Sequence, residues 1–241
     1  EITQNTTQAA GKKITFKGAL VTGEKTLNLT YTASPNGMTN PGSGYNIFGN
    51  SFTAAIDISK IQFPASGVDK VVYLYNTGSL YDWYNVEVND APGSYLSIPQ
   101  NTSGDVQREI PSMQGFMLIA SANNSSVTIP YSTSVLNNTF VQRAPSAGNT
   151  GLSYLTADVL GKSGGDRVWL FSQPGTSRKY DNGWDGRKII LNPGFSLYVD
   201  EGKDQLQVST SDNLDKTYLA FRAGKDTEYT LRINKAKLTD Y

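Results

Sequence analysis

Short runs of alternating apolar and polar residues run along almost the whole chain, broken about every 8–12 positions by turn residues. Lys13–Leu20 (KITFKGAL) and Thr26–Tyr31 (TLNLTY) alternate on either side of the turn Thr22-Gly23-Glu24. Pro35-Asn36-Gly37 and Asn40-Pro41-Gly42 mark a loop. Strands are then expected at Tyr45–Phe48, Phe52–Ile58, Val71–Tyr75, Trp83–Val88 and Tyr95–Ile98, with a single helical turn over Asp57–Gln62. Beyond residue 150 they recur at Ser153–Val159, Arg167–Phe171, Lys188–Leu191, Thr217–Phe221 and Glu228–Ile233. No segment of 11 or more residues holds a 3.6-residue period with caps. The pattern predicts an all-β protein.

One pattern occurs twice. Residues 115–129 (GFMLIASANNSSVTI) align without a gap on residues 194–208 (GFSLYVDEGKDQLQV), an offset of 79 from Gly115 to Gly194. Each copy has Phe next to the glycine, Leu two residues on, then polar turn residues and an apolar–polar–apolar triplet. That is the signature of a β-hairpin. Val168-Trp169-Leu170-Phe171 also echoes Val72-Tyr73-Leu74-Tyr75. Between the copies, residues 141–152 (VQRAPSAGNTGL) lose periodicity and gather Ala, Pro, Ser and Gly. We therefore expect a loose lead-in over 1–11 and two tandem antiparallel β-sandwich (jelly-roll-like) domains, 12–142 and 150–241, related by a weak internal repeat.

Composition narrows the chemistry more than it narrows the fold. The chain has no His and no Cys. This excludes Ser-His-Asp and Cys-His catalysis, imidazole zinc sites, thiolate nucleophiles and disulfides. Basic and acidic residues balance at 21 each, with 7 basic and 9 acidic up to residue 140 and 14 and 12 after it. No field is present to attract nucleic acid or an anionic membrane. The chain opens Glu1-Ile2-Thr3, without initiator Met or an apolar leader, and no apolar run approaches the ~20 residues of a membrane span. An exported chain forming part of a larger polypeptide is expected.

Gly44–Asn50, then Pro111–Met117 after Trp83, then Asp166–Phe171, in that order, resemble β-sandwich modules of large exported cell-surface proteins of Bacteroidetes. Gly44-Tyr45-Asn46-Ile47-Phe48-Gly49-Asn50 is similar to the opening of such modules, and Pro111-Ser112-Met113-Gln114-Gly115-Phe116-Met117, following Trp83, to their next segment. Asp166–Phe171, Tyr180–Lys188 and Glu228-Tyr229-Thr230-Leu231 resemble the module after it. The resemblance covers roughly residues 12–235, and Ser51 stands where the family usually has Pro. It implies an adhesin-like, secreted or surface location, often ahead of a secretion signal domain, and an accessory rather than catalytic role.

Three clusters are candidates for chemistry. Tyr73, Tyr75, Tyr81, Trp83, Tyr84 and Tyr95 lie among Asn76, Asp82, Asn85 and Asn89. Flat rings flanked by amides and carboxylates suit a sugar, whose C–H face stacks while its hydroxyls are bonded. Tyr81, Asp82, Trp83, Tyr84 and Asn85, near a turn, are the expected ligand-binding residues. The competing reading is that half these rings fill the core, since Tyr and Trp favour strands. Asp181 and Asp185, in the turn Tyr180–Gly186, are the expected metal ligands should calcium bind, helped by Asp166, Asp200 or Asp204. Against that, Asp in a tight turn commonly bonds backbone amides or pairs with neighbours such as Arg178, Lys179, Arg187 and Lys188. Paired carboxylates could hydrolyse a glycoside without His or Cys, but Glu87 and Asp90 lie three apart and so on opposite strand faces. Gly161-Lys162-Ser163 lacks the upstream glycine of a phosphate loop, where Thr156 stands instead. The sequence reading is a non-catalytic surface module for adhesion or carbohydrate binding, or alternatively a structural spacer.

Overall fold

A computed structural model describes residues 18–19, 21–32, 43–76, 94–102, 108–136, 153–162, 164–190 and 194–236. Within them the chain is all-β, and no helix is long and apolar enough to cross a membrane. The earlier part forms β1 (Lys25–Leu29), β2 (Tyr45–Gly49), β3 (Ala55–Asp57), β4 (Val71–Asn76), β5 (Ser94–Pro99), β6 (Glu109–Ile110), β7 (Gly115–Ile119), β8 (Ser125–Ile129) and β9 (Val135–Leu136). The later part forms β10 (Ser153–Gly161), β11 (Gly164–Ser172), β12 (Gly186–Arg187), β13 (Ser196–Asp200), β14 (Gln205–Ser211), β15 (Leu219–Arg222) and β16 (Thr230–Ala236). The expected boundary at 141–152, the strand expected at Trp83–Val88 and most of Lys13–Leu20 lie outside the described residues. The expected helical turn is a 3-10 turn, Ile58–Lys60, started by Asp57, whose carboxylate accepts the Ser59 N–H at 2.9 Å.

Four antiparallel strands pair in the order β2-β7-β4-β5. Alternation sends Phe116, Leu118, Val72, Leu74, Leu96 and Ile98 to one face, where Leu29, Val127 and Ile129 of the β1–β8 pair meet them. Ile56, Ile110 and Val135, from the small β6-β3-β9 sheet, belong to the same cluster. So do Tyr154, Trp169, Phe171 and Val208 from the later part of the chain. That later part builds a sheet in the order β15-β13-β14-β11-β10-β16, with β12 attached to β14. β14 links the two parts of this sheet: it pairs antiparallel with β13 at Val199↔Leu206 and parallel with β11 from Trp169↔Val208. Its second face buries Ala157, Val159, Val168 and Leu197.

The two copies of the repeated stretch take different partners. In 194–208, β13 and β14 pair as the expected hairpin. In 115–129 they do not: β7 sits between β2 and β4, while β8 pairs with β1. Phe116, Met117 and Leu118 are all buried, so β7 has both faces covered and takes an interior place in its sheet. Alternation fixes which side a residue faces but leaves the choice of neighbour open.

Lys188–Leu191 is not a strand through its described residues 188–190, and only Gly186 and Arg187 pair, with β14. The segment instead lies across the earlier part. Ile189 packs against Val71, Tyr73 and Met117 on the second face of the four-stranded sheet. A Cβ on Gly186 would come within 2.7 Å of the Ser97 Cβ, so glycine permits this close approach. The free edge of β5 is closed beside it. The buried Gln207 side chain accepts the Ser97 N–H at 2.7 Å, and the Ser97 hydroxyl donates to the Arg187 carbonyl at 2.6 Å. Further along, the Asn182 side chain accepts from Lys70 N–H at 2.6 Å and donates to Val68 O at 3.1 Å. Asn101 N–H donates to Gly183 O at 2.8 Å.

Candidate binding face

Residues of one parity in the four-stranded sheet make the face that 186–189 only partly covers. Tyr73, central in it, is completely buried, whereas Tyr75 is 43% exposed and packs its ring, tilted by 60°, with its centre 5.1 Å from that of half-buried Tyr95. On the opposite edge of the sheet, Tyr45 is 43% and Ile47 74% exposed. The cross-strand pairs Tyr45↔Ile119, Ile47↔Met117, Tyr73↔Met117 and Tyr75↔Tyr95 place all of these on one surface. The sequence reading picked out Tyr73, Tyr75 and Tyr95 and passed over Tyr45 and Ile47. Their alternation with Asn46 and Phe48 was the available signal. Tyr81, Asp82, Trp83, Tyr84 and Asn85 lie outside the described residues, as do Glu87 and Asp90.

A charged group borders this face. Arg187 pairs with Asp69, just before β4, and with Asp204 at 3.1 Å, and its guanidinium lies 3.6 Å above the centre of the Tyr180 ring. The arrangement uses the planar fork and the flat face of arginine together, which lysine could not reproduce. Burial pushes the Asp69 carboxyl above its usual range, and the adjoining Arg187 pulls against that shift. Burial likewise raises the Tyr45 hydroxyl, with Tyr95 and Asp69 adding to it and Arg187 opposing. Asp69 lies near Tyr45, because its N–H donates to Ile119 O at 2.9 Å and Ile119 pairs across the sheet with Tyr45.

The acidic turn is arranged around backbone amides. Asp185 is 1% exposed, and its two carboxylate oxygens accept the Asp181 and Thr210 N–H groups, each at 2.7 Å. Desolvation lifts its carboxyl to about 7 despite those bonds. The Asp181 carboxylate accepts the Ser177 N–H at 2.5 Å. The acids expected to help a cation are engaged elsewhere. Asp166 takes the Lys188 ammonium and the Leu197 N–H, Asp204 takes Arg187, and Asp200 caps its own turn at Gly202 N–H. Among the described residues no group of three or more acids gathers where it could hold a metal ion. Arg178 and Lys179 take no part in this turn's carboxylate bonds; the Arg187 and Lys188 side chains reach Asp69, Asp204 and Asp166 instead.

No family model matches the chain, and no solved structure matches it. Over 235 residues, 90% of the chain, it is 38% identical to the Minor fimbrium subunit Mfa5 of Porphyromonas gingivalis. The chain spans 19% of the length of that relative.

Proposed function

We propose that the chain is a non-catalytic β module of an exported, cell-surface fimbrial protein, assembling with other polypeptides, and that its partly open aromatic face contacts carbohydrate. The observation that carries the proposal is the similarity to a fimbrium subunit along 90% of the chain. The lack of His and Cys supports the non-catalytic part. The half-exposed Tyr45 near the Asp69–Arg187 pair, and the Tyr75–Tyr95 ring pair further along the same face, support the ligand class, since rings stack on sugars and carboxylates accept their hydroxyls. A purely presentational module is the second reading, favoured by the aromatic surface placed in the core: Tyr73, Tyr154, Trp169 and Phe171 are all buried.

Two measurements test the proposal. Antibody labelling of intact producing cells should detect the protein, and labelling only after lysis would refute surface display. On a glycan array the intact chain should retain saccharide probes, and Tyr75→Ala should weaken retention at least tenfold without altering the melting temperature. An array blank for the wild type favours the presentational reading. The wild type should give the same array with calcium and with chelator; loss with chelator alone would move the site to the turn of Asp181 and Asp185.

A further inference from the structure

We propose that the outer edge of β2 joins a second copy of this chain, the two strands pairing antiparallel about Ile47. β2 ends its sheet, with β7 on one side only. Ala120 N–H donates to Gly44 O at 2.8 Å and Asn50 N–H to Gln114 O at 2.9 Å, so the even-numbered positions bond toward β7. Tyr45, Ile47 and Gly49 therefore turn their backbone N–H and C=O groups outward. Among the described residues that edge meets only the Ser51 hydroxyl, 3.4 Å from Gly49 O. Just upstream the edge is closed. Thr32 N–H donates to Ser43 O at 2.9 Å, and the Asn46 side chain accepts Thr30 N–H at 2.9 Å. The opening thus runs from Tyr45 to Gly49, and at its middle stands Ile47, 74% exposed.

An unpaired strand edge attracts another strand unless something deters it. The outer strands of the later sheet are deterred by charge: β15 carries Arg222, and β16 carries Arg232 and Lys235, which a pairing of like strands would gather. β5 is met by Gln207. β2 (YNIFG) has no charge, no proline and no bulge. It is also complementary to itself. With the two-fold at Ile47, Tyr45 faces Gly49 of the other copy, and all three outward positions fall in hydrogen-bonded pairs. A Cβ on Gly49 would meet nothing within 4 Å, so the facing Tyr45 ring has room to lie over the glycine. The merged sheet sets the Tyr75–Tyr95 ring pairs of both copies on the same side. Five residues a side make a small interface, so the dimer is weak, half-associated at on the order of 0.1 mM.

Sedimentation equilibrium of the intact chain, loaded from about 10 µM to about 1 mM, should show monomer and dimer in exchange. Ile47→Lys sets two ammonium groups face to face on the two-fold and should weaken the dimer at least tenfold, with the melting temperature unchanged. The chain has no cysteine of its own, so single-cysteine variants read the register. Facing Cα atoms at Ile47 stand about 5.5 Å apart, within disulfide reach. The two Gly49 positions stand about 14 Å apart along the strands. Under mild oxidation Ile47→Cys should therefore cross-link into a dimer at least tenfold faster than Gly49→Cys. A chain that stays monomeric over the whole range overturns the proposal, whether or not it binds carbohydrate. So does a dimer that Ile47→Lys leaves intact, and so does cross-linking of Ile47→Cys no faster than of Gly49→Cys.

Discussion

Asp185 shows how a single side chain can organise a turn and still weaken the fold. Its carboxylate closes the turn by accepting the Asp181 N–H and secures it to the sheet by accepting the Thr210 N–H, but it does so 1% exposed. Its pKa is raised from 3.8 to about 7, so the folded chain holds this proton more tightly than the unfolded chain. Stability is therefore greatest below about pH 4 as far as this group is concerned, falls as the pH rises toward 7 and then levels, by at most about 4 kcal/mol. The chain has no histidine to confuse that window. Urea midpoints between pH 4.5 and 8 should fall with pH in the wild type and fall less steeply in Asp185→Asn, where the raised Asp69 carboxyl still contributes; parallel slopes would refute the assignment. The buried pair Lys188–Asp166 behaves differently, because each charge compensates the other. Lys188→Met alone should cost about 3–5 kcal/mol by leaving Asp166 unpaired, and adding Asp166→Asn should restore much of it. A double mutant no better than Lys188→Met would show that the lysine matters for packing rather than charge. The turn residues were visible in the sequence, but their partners were not: Thr210, which bonds Asp185, and Lys70, which bonds Asn182, lie far along the chain from the turn.

At the scale of elements, periodicity was informative about where strands run and silent about what they pair with. Val71–Tyr75 and Arg167–Phe171 alternate plainly and fold as β4 and β11. The repeated stretch alternates just as plainly, yet β7 and β8 part company while β13 and β14 remain a hairpin. The binding face was legible in the same partial way. Tyr75 and Tyr95 could be picked out by residue type, but that Tyr73 would be covered depended on Ile189 crossing from the later part of the chain. The edge of β5 was not legible at all, because a side chain rather than a strand closes it. Gln207 supplies that acceptor, and its Oε1 meets the Ser97 N–H in a buried setting. Gln207→Leu keeps the bulk and removes the acceptor, which orphans a buried donor at a cost of about 1–3 kcal/mol. Chemical denaturation should register that loss, together with faster exchange of the Ser97 amide. An unchanged amide would mean that another acceptor serves it.

At the scale of the molecule, the earlier and later sheets are tied by chemistry of two kinds. Trp169, Phe171 and Val208 share an apolar cluster with Val72, Leu74 and Ile98, which makes burial in one part depend on the presence of the other. Around its margin run directional bonds: Arg187 to Asp69, Gln207 to Ser97, Asn182 to Lys70 and Val68, and Gly183 to Asn101. Gly183 holds φ at +95°, and a Cβ there would lie 3.1 Å from the Asn101 side chain, so the turn reaches the earlier part only as glycine. Two tandem domains with a minor interface would unfold independently, whereas a shared core predicts one cooperative transition. Arg187→Ala separates these behaviours because it removes a tie without entering either sheet's own core. It strips Asp69 of its counter-charge in a largely buried place and bares the face of Tyr180. Amide exchange should then speed up in β4 and β5 and, by the same factor, in β10 and β11. Acceleration confined to the strands beside Asp69 would show that the two parts hold their structure separately, and that the shared cluster is a contact between domains rather than a common core.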